Sequence, residues 1–183
     1  MELKSYLIPA SKMEIAQKIY DDLDTFEYGT IIKGKRFGED ELDKVDWSLY
    51  RTLPISVIEK ERIGNCWDFV NYQHHLFKKN KIQDSSYMMV MDRGEKGVVT
   101  HTFSIITINN QKYWFEQAFY KKRGIHKISS VKDVITELCN HYDPEGKMRF
   151  DVYQYNPDGL DRNKTDQEFF DIVTSSKRIA YRE

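Results

Sequence analysis

Apolar positions along the chain recur with two periods, and the change from one to the other divides it into elements. In residues 11–24, Met13, Ile15, Ala16, Ile19, Tyr20 and Leu23 fall near helical spacing behind Ser11, a predicted N-cap. Residues 27–46 break that pattern with Gly29, Gly34, Gly38 and mixed charge, and predict a loop. A short helix is expected after Pro54, because proline suits a first helical turn. The next helix is better defined. It begins at Gly64-Asn65-Cys66 and runs to Asn80, with Asn65 as cap, Asp68 in the first turn and Lys78-Lys79 in the last, as the helix dipole favours. Trp67, Phe69, Val70, Leu76 and Phe77 leave little of its circumference polar, which predicts a central, buried helix.

Strands follow. Tyr87–Met91, Thr102–Ile108 and Tyr113–Ala118 are apolar, β-branched or aromatic, and Asn109-Asn110 suits a tight hairpin turn with positive φ. Residues 129–142 read as an amphipathic helix capped by Ser129 or Ser130, Phe150–Tyr155 as a strand, 156–164 as a loop, and 165–173 as a last helix. This order predicts one α+β domain over residues 1–183.

Composition narrows the function. Hydrophobic residues make up 40% and aromatics 14%, too many for a disordered chain. The 28 basic and 29 acidic side chains nearly cancel, which argues against a nucleic-acid or membrane surface. No apolar run reaches the length of about 18 residues that a membrane span needs. The first eighteen residues have no long apolar core and are not expected to form a secretory signal, and with only two cysteines a reducing cytoplasm is the expected setting. Cys66 and Cys139 are the only cysteines, and neither CxxC nor HExxH occurs, so neither a disulfide framework, a metal nor another cofactor is expected.

One cysteine stands where its chemistry is favoured. Cys66 opens a helix, where unpaired N–H groups and the dipole favour a thiolate and could hold an oxyanion. Gly64 is expected to let the chain turn tightly and to leave space beside the sulfur. A free cysteine is otherwise a small apolar packing residue, the reading given to Cys139. His101 adds a base. A two-residue loop at Asn109-Asn110 places Phe103 opposite Glu116 and His101 opposite Ala118. His101 and Glu116 then share a face as diagonal neighbours, within side-chain reach. Glu116 stands in an otherwise apolar strand, so it should have a partner. Cys66, His101 and Glu116 thus form a candidate nucleophile, base and orienting acid. His74-His75 diverge on their helix and do not chelate together. His126 and His141 read as loop residues, Arg123–His126 as a border of the cleft, and Lys121-Lys122-Arg123 as a solvated turn. Asp68 reads as a complement to the helix dipole.

Gly64-Asn65-Cys66-Trp67 resembles the G-x-C-W signature around the nucleophile of transglutaminases and papain-like proteases. His101 at a strand start, then Trp114 and Glu116 two residues on, is similar to the transglutaminase-like pattern. The short spacing fits that branch better than papain's, whose histidine lies much farther along. The resemblance covers residues 60–120 and departs from the family's usual aspartate at Glu116. It implies a nucleophile-bearing helix packed on an antiparallel sheet, and thioester chemistry on a peptide, protein or small acyl or amide substrate. Hydrolysis, glutamine deamidation and transfer to an amine are its possible outcomes, with hydrolysis foremost. It also implies an aromatic or amide side chain at the oxyanion or substrate, for which Trp47 and Trp67, with Tyr50, are candidates. The alternative is an inactive module of the same fold that binds a peptide or protein partner.

Overall fold

The computed structural model describes residues 10–182; residues 1–9, on which part of the expectation about a secretory signal falls, lie outside it. Helix α1 (Lys12–Leu23) opens with a reciprocal capping box between Ser11 and Glu14, a device that contributes about 1 kcal/mol. Strands β1 (Glu27–Ile32) and β2 (Lys35–Gly38) follow as a hairpin. This corrects the expected loop over 27–46. Lys33 and Gly34, both at positive φ, form its two-residue turn, and Thr30-Ile31-Ile32 provide β-branched side chains. Gly29 is required there, since a Cβ would collide with the Phe37 carbonyl oxygen. A 3-10 turn over residues 39–44 leads onward.

Helix α2 (Ile55–Glu61) starts after Pro54 as expected. The two-residue β3 (Ile63–Gly64) pairs in parallel with β1, setting Tyr28 opposite Gly64. Helix α3 (Cys66–Lys79) is central, with Phe69, Val70, Tyr72 and Phe77 buried along it.

The large sheet consists of β4 (Gln83–Asp92), β5 (Val98–Ile108), β6 (Gln111–Glu116), β7 (Gly124–Ile128), β8 (Arg149–Tyr155) and β9 (Lys177–Arg182). Every pairing is antiparallel, in the order β7-β6-β5-β4-β8-β9. Strands β7 and β9 are additions to the expected set, and His126 accordingly lies on a strand. Helix α4 (Val131–Tyr142) carries His141 in its last turn rather than in a loop. Helix α5 (Asp166–Thr174) has the Thr165–Glu168 capping box.

Side chains alternate across the sheet and build a core on each face. Ile106 and Phe115 pack with Phe69, Phe77 and α1, whereas Phe103, Ile105 and Trp114 pack with Val134, Ile135 and Leu138 of α4. A third cluster ties Cys66, Trp67 and Val70 to Met88, Tyr155 and Phe169. The protein is α+β, with α3 on one face of an antiparallel sheet. No helix among the described residues is long and apolar enough to cross a membrane.

Candidate active site

The first turn of α3 is fixed before any chemistry is considered. Asn65 Oδ1 accepts from the N–H groups of Trp67 and Asp68 at 2.9 and 3.2 Å, and Asp68 Oδ2 accepts from Asn65 N–H at 3.3 Å. Asp68 is more than a dipole complement. It is fully buried, and its Oδ1 also accepts from Leu53 N–H at 2.7 Å and the Tyr50 hydroxyl at 2.9 Å. Burial raises its pKa to about 6 against these bonds, which pull the other way. Gly64 has a different reason from the expected open space. A Cβ there would meet Asp68 Cβ at 2.9 Å and the Phe69 ring at 3.1 Å, so glycine lets β3 lie against the turn that follows it. Farther along, Ser104 donates to Gln73 Oε1 at 2.7 Å and fastens α3 to β5.

His101 and Glu116 come from the hairpin. Asn109 and Asn110 both have positive φ, at 51° and 62°, and the pairs Ile108–Gln111 through Ser104–Phe115 show the two-residue register. The diagonal follows, and the histidine Nε2 lies 3.0 Å from Glu116 Oε2. Three further donors hold that carboxylate. Trp114 Nε1–H donates to Oε2 at 3.0 Å, and the N–H groups of Ala118 and Phe119 donate to Oε1 at 2.8 Å each. Trp114 and Glu116 share a face of β6, which gives the tryptophan–x–acid spacing its physical sense.

Cys66 approaches His101 from the other side of the sheet. Thr102, Ser104 and Ile106 face α3, while His101, Phe103 and Ile105 face α4. Strand β6 ends at Glu116, so residues 98–103 of β5 pair with β4 alone. At that open flank the Cys66 thiol hydrogen-bonds to the His101 ring. Nε2 is engaged by Glu116, which leaves Nδ1 for the sulfur.

The electrostatics of this buried site favour an ion pair. Cys66, His101 and Glu116 are 8%, 4% and 1% exposed, and the rings of Phe103, Phe119 and Tyr142 enclose the imidazole. Burial alone would push the Cys66 thiol up. The hydrogen bond and charge of His101, with Thr102 beside it, outweigh burial, and the net displacement is downward. Burial works against the imidazolium as well, yet the charge of Glu116 and the bond to Cys66 raise His101 to about 10. Each shift favours thiolate beside imidazolium.

The sequence did not single out Tyr28. Its pairing opposite Gly64 brings the ring to Cys66, where its hydroxyl accepts from Cys66 N–H and donates to the sulfur. Burial, then Cys66, raises that phenol well above its ordinary value, so it is a neutral donor. Trp47, Tyr50 and Trp67 all line the cleft that reaches Cys66, a space of about 320 Å³. Trp67 Nε1–H is spent on Thr100 Oγ1 at 3.2 Å, and the Tyr50 hydroxyl on Asp68. Arg123–His126 do not border this cleft: Arg123 donates to the Gln117 carbonyl and His126 Nε2 lies 2.8 Å from the Lys122 carbonyl. Lys122 of the basic turn pairs with Glu137, and Cys139 packs beside the α4 core.

The arrangement defines a class at the level of chemistry, a buried thiol–imidazole pair oriented by a carboxylate. No protein-family model matches the chain, and neither does any curated protein.

Proposed function

We propose that the protein is a cysteine enzyme of the transglutaminase-like, papain-like kind that cleaves an amide or peptide bond through a thioester at Cys66. The observation that carries this reading is the His101–Glu116 contact at 3.0 Å beside a Cys66 thiol displaced toward thiolate. The Cys66 sulfur attacks the carbonyl carbon, and the carbonyl oxygen becomes an oxyanion. That oxygen takes the Cys66 N–H now held by Tyr28, whose ring shifts so that its hydroxyl donates to the oxyanion instead. His101 gives its proton to the leaving nitrogen as the C–N bond breaks, and the thioester remains. His101, now neutral, takes a proton from water, whose oxygen attacks the thioester and releases acid and thiolate. Glu116 touches neither substrate nor sulfur; it positions His101 and stabilises its charge.

The test uses peptides containing glutamine, with and without a primary amine, and reads products by mass. Shortened peptides that vanish with Cys66→Ala are expected. Conversion of glutamine to glutamate would redirect the reading to deamidation, and an amine adduct to transfer. Cleavage that persists in Cys66→Ala would overturn it.

A further inference from the structure

We infer that the cleft beside Cys66 selects a basic side chain of the amide substrate, lysine or arginine, and that Asp166 reads its charge. The inference rests on the proposed thiol chemistry and adds the substrate class to it.

Asp166 is the one carboxylate among the described residues that line this cleft. It opens α5, a position the helix dipole favours for an acid, but the dipole does not require it to face the cleft. It makes no hydrogen bond or ion pair with any described residue. The most deeply shielded acids are engaged: Asp68 by Tyr50 and Leu53, Asp84 by His74, Asp143 by Arg182, and Glu116 by four donors. Burial raises the Asp166 pKa, and no neighbouring cation opposes it. A half-buried carboxylate left in that state gains from a cation that enters beside it.

The walls suit the rest of such a side chain. Trp47, Tyr50 and Trp67 offer aromatic faces, which attract ammonium and guanidinium groups. Leu42, Val98 and Val99 offer apolar surface to an aliphatic stem. The approach carries the same sign. The segment that bears Leu42 and Trp47 holds Glu39, Asp40, Glu41, Asp43 and Asp46 against Lys44 alone. That excess favours cations on the way in. An acidic side chain is repelled, and a neutral one leaves Asp166 dehydrated and unpaired, so discrimination comes from both directions.

Short peptide vinyl sulfones with lysine, norleucine or glutamate beside the reactive group test this, with Cys66 adducts followed by mass. Norleucine keeps the aliphatic stem of lysine and omits the charge. Lysine is expected to react about tenfold faster than norleucine, glutamate to be slowest, and Asp166→Asn to bring lysine and norleucine together. Iodoacetamide separates the two ideas. If it alkylates Cys66 ahead of Cys139 while the lysine and norleucine peptides react alike, the basic-side-chain inference falls and the thiol reading stands. If it does not distinguish the cysteines, the thiol reading falls, and with it this inference.

Discussion

The Tyr28 hydroxyl bridges Cys66, accepting from its amide and donating to its sulfur. The phenol oxygen stands where a substrate oxyanion would take the same amide. Tyr28→Phe keeps the ring and removes the donor. The expected result is a fall in kcat of about 10²-fold, the scale of one lost oxyanion donor, with Cys66 alkylation largely kept. Unchanged turnover would exclude Tyr28 from the oxyanion site.

The pH dependence of the thiol follows from the two shifts. Cys66 lies below its ordinary value of 9.0 and His101 is raised to about 10. Its alkylation rate should climb at a pH below 9.0 and change again near 10 as the imidazolium loses its proton. For stability the sign is set by the raised histidine. Its contribution is complete below the ordinary histidine value of 6.5 and is lost as pH rises through about 10. His101→Ala should move that rise to higher pH, because burial alone pushes the thiol up. Cys139, also raised by burial, should react slowly at neutral pH in both proteins.

Glu116→Gln should cost both rate and stability. Sequence alone suggests a nearly isosteric, well-folded variant. With Oε1 still accepting from Ala118 and Phe119, however, the new amide would face the Trp114 N–H, donor against donor. A stability loss of about 1–3 kcal/mol is expected, alongside a rate loss on the order of 10–10³. Urea denaturation and turnover assays measure the two separately. Full activity with normal Cys66 alkylation would leave a Cys66–His101 dyad.

Asp68 gives a second, independent titration. Its folded pKa of about 6 exceeds the ordinary 3.8, so the folded state binds more protons between those values, and stability falls as pH rises through that window. Relative to Asp68→Asn, the wild type should lose about 2–3 kcal/mol between pH 3.5 and pH 7. Parallel stability curves for the two proteins would show that burial does not control this carboxylate.

The parts of the site that local chemistry specifies were legible in the sequence. Asn109-Asn110 tolerates positive φ, so the hairpin register and the His101–Glu116 diagonal could be worked out in advance. Asn65 and Asp68 announced the helix start by their capping chemistry. Tyr28 was hidden because its position depends on the short parallel pairing with Ile63-Gly64, which leaves no period in either segment. Strands β7 and β9 were hidden for another reason. They form the two edges of the large sheet, and charges such as Lys127, Lys177 and Arg178 that suit an edge also make it read as a turn.

The open flank of β5 also has a consequence for the order in which the chain is made. Cys66 is synthesised before His101 and Glu116, and its contact with His101 waits for β5 to pack against α3. Until then it is an ordinary cysteine, its thiol largely protonated at neutral pH. Contacts this distant in sequence form late, after the local helices and hairpins. The shift of the Cys66 thiol toward thiolate therefore arrives together with the enclosure that shields it.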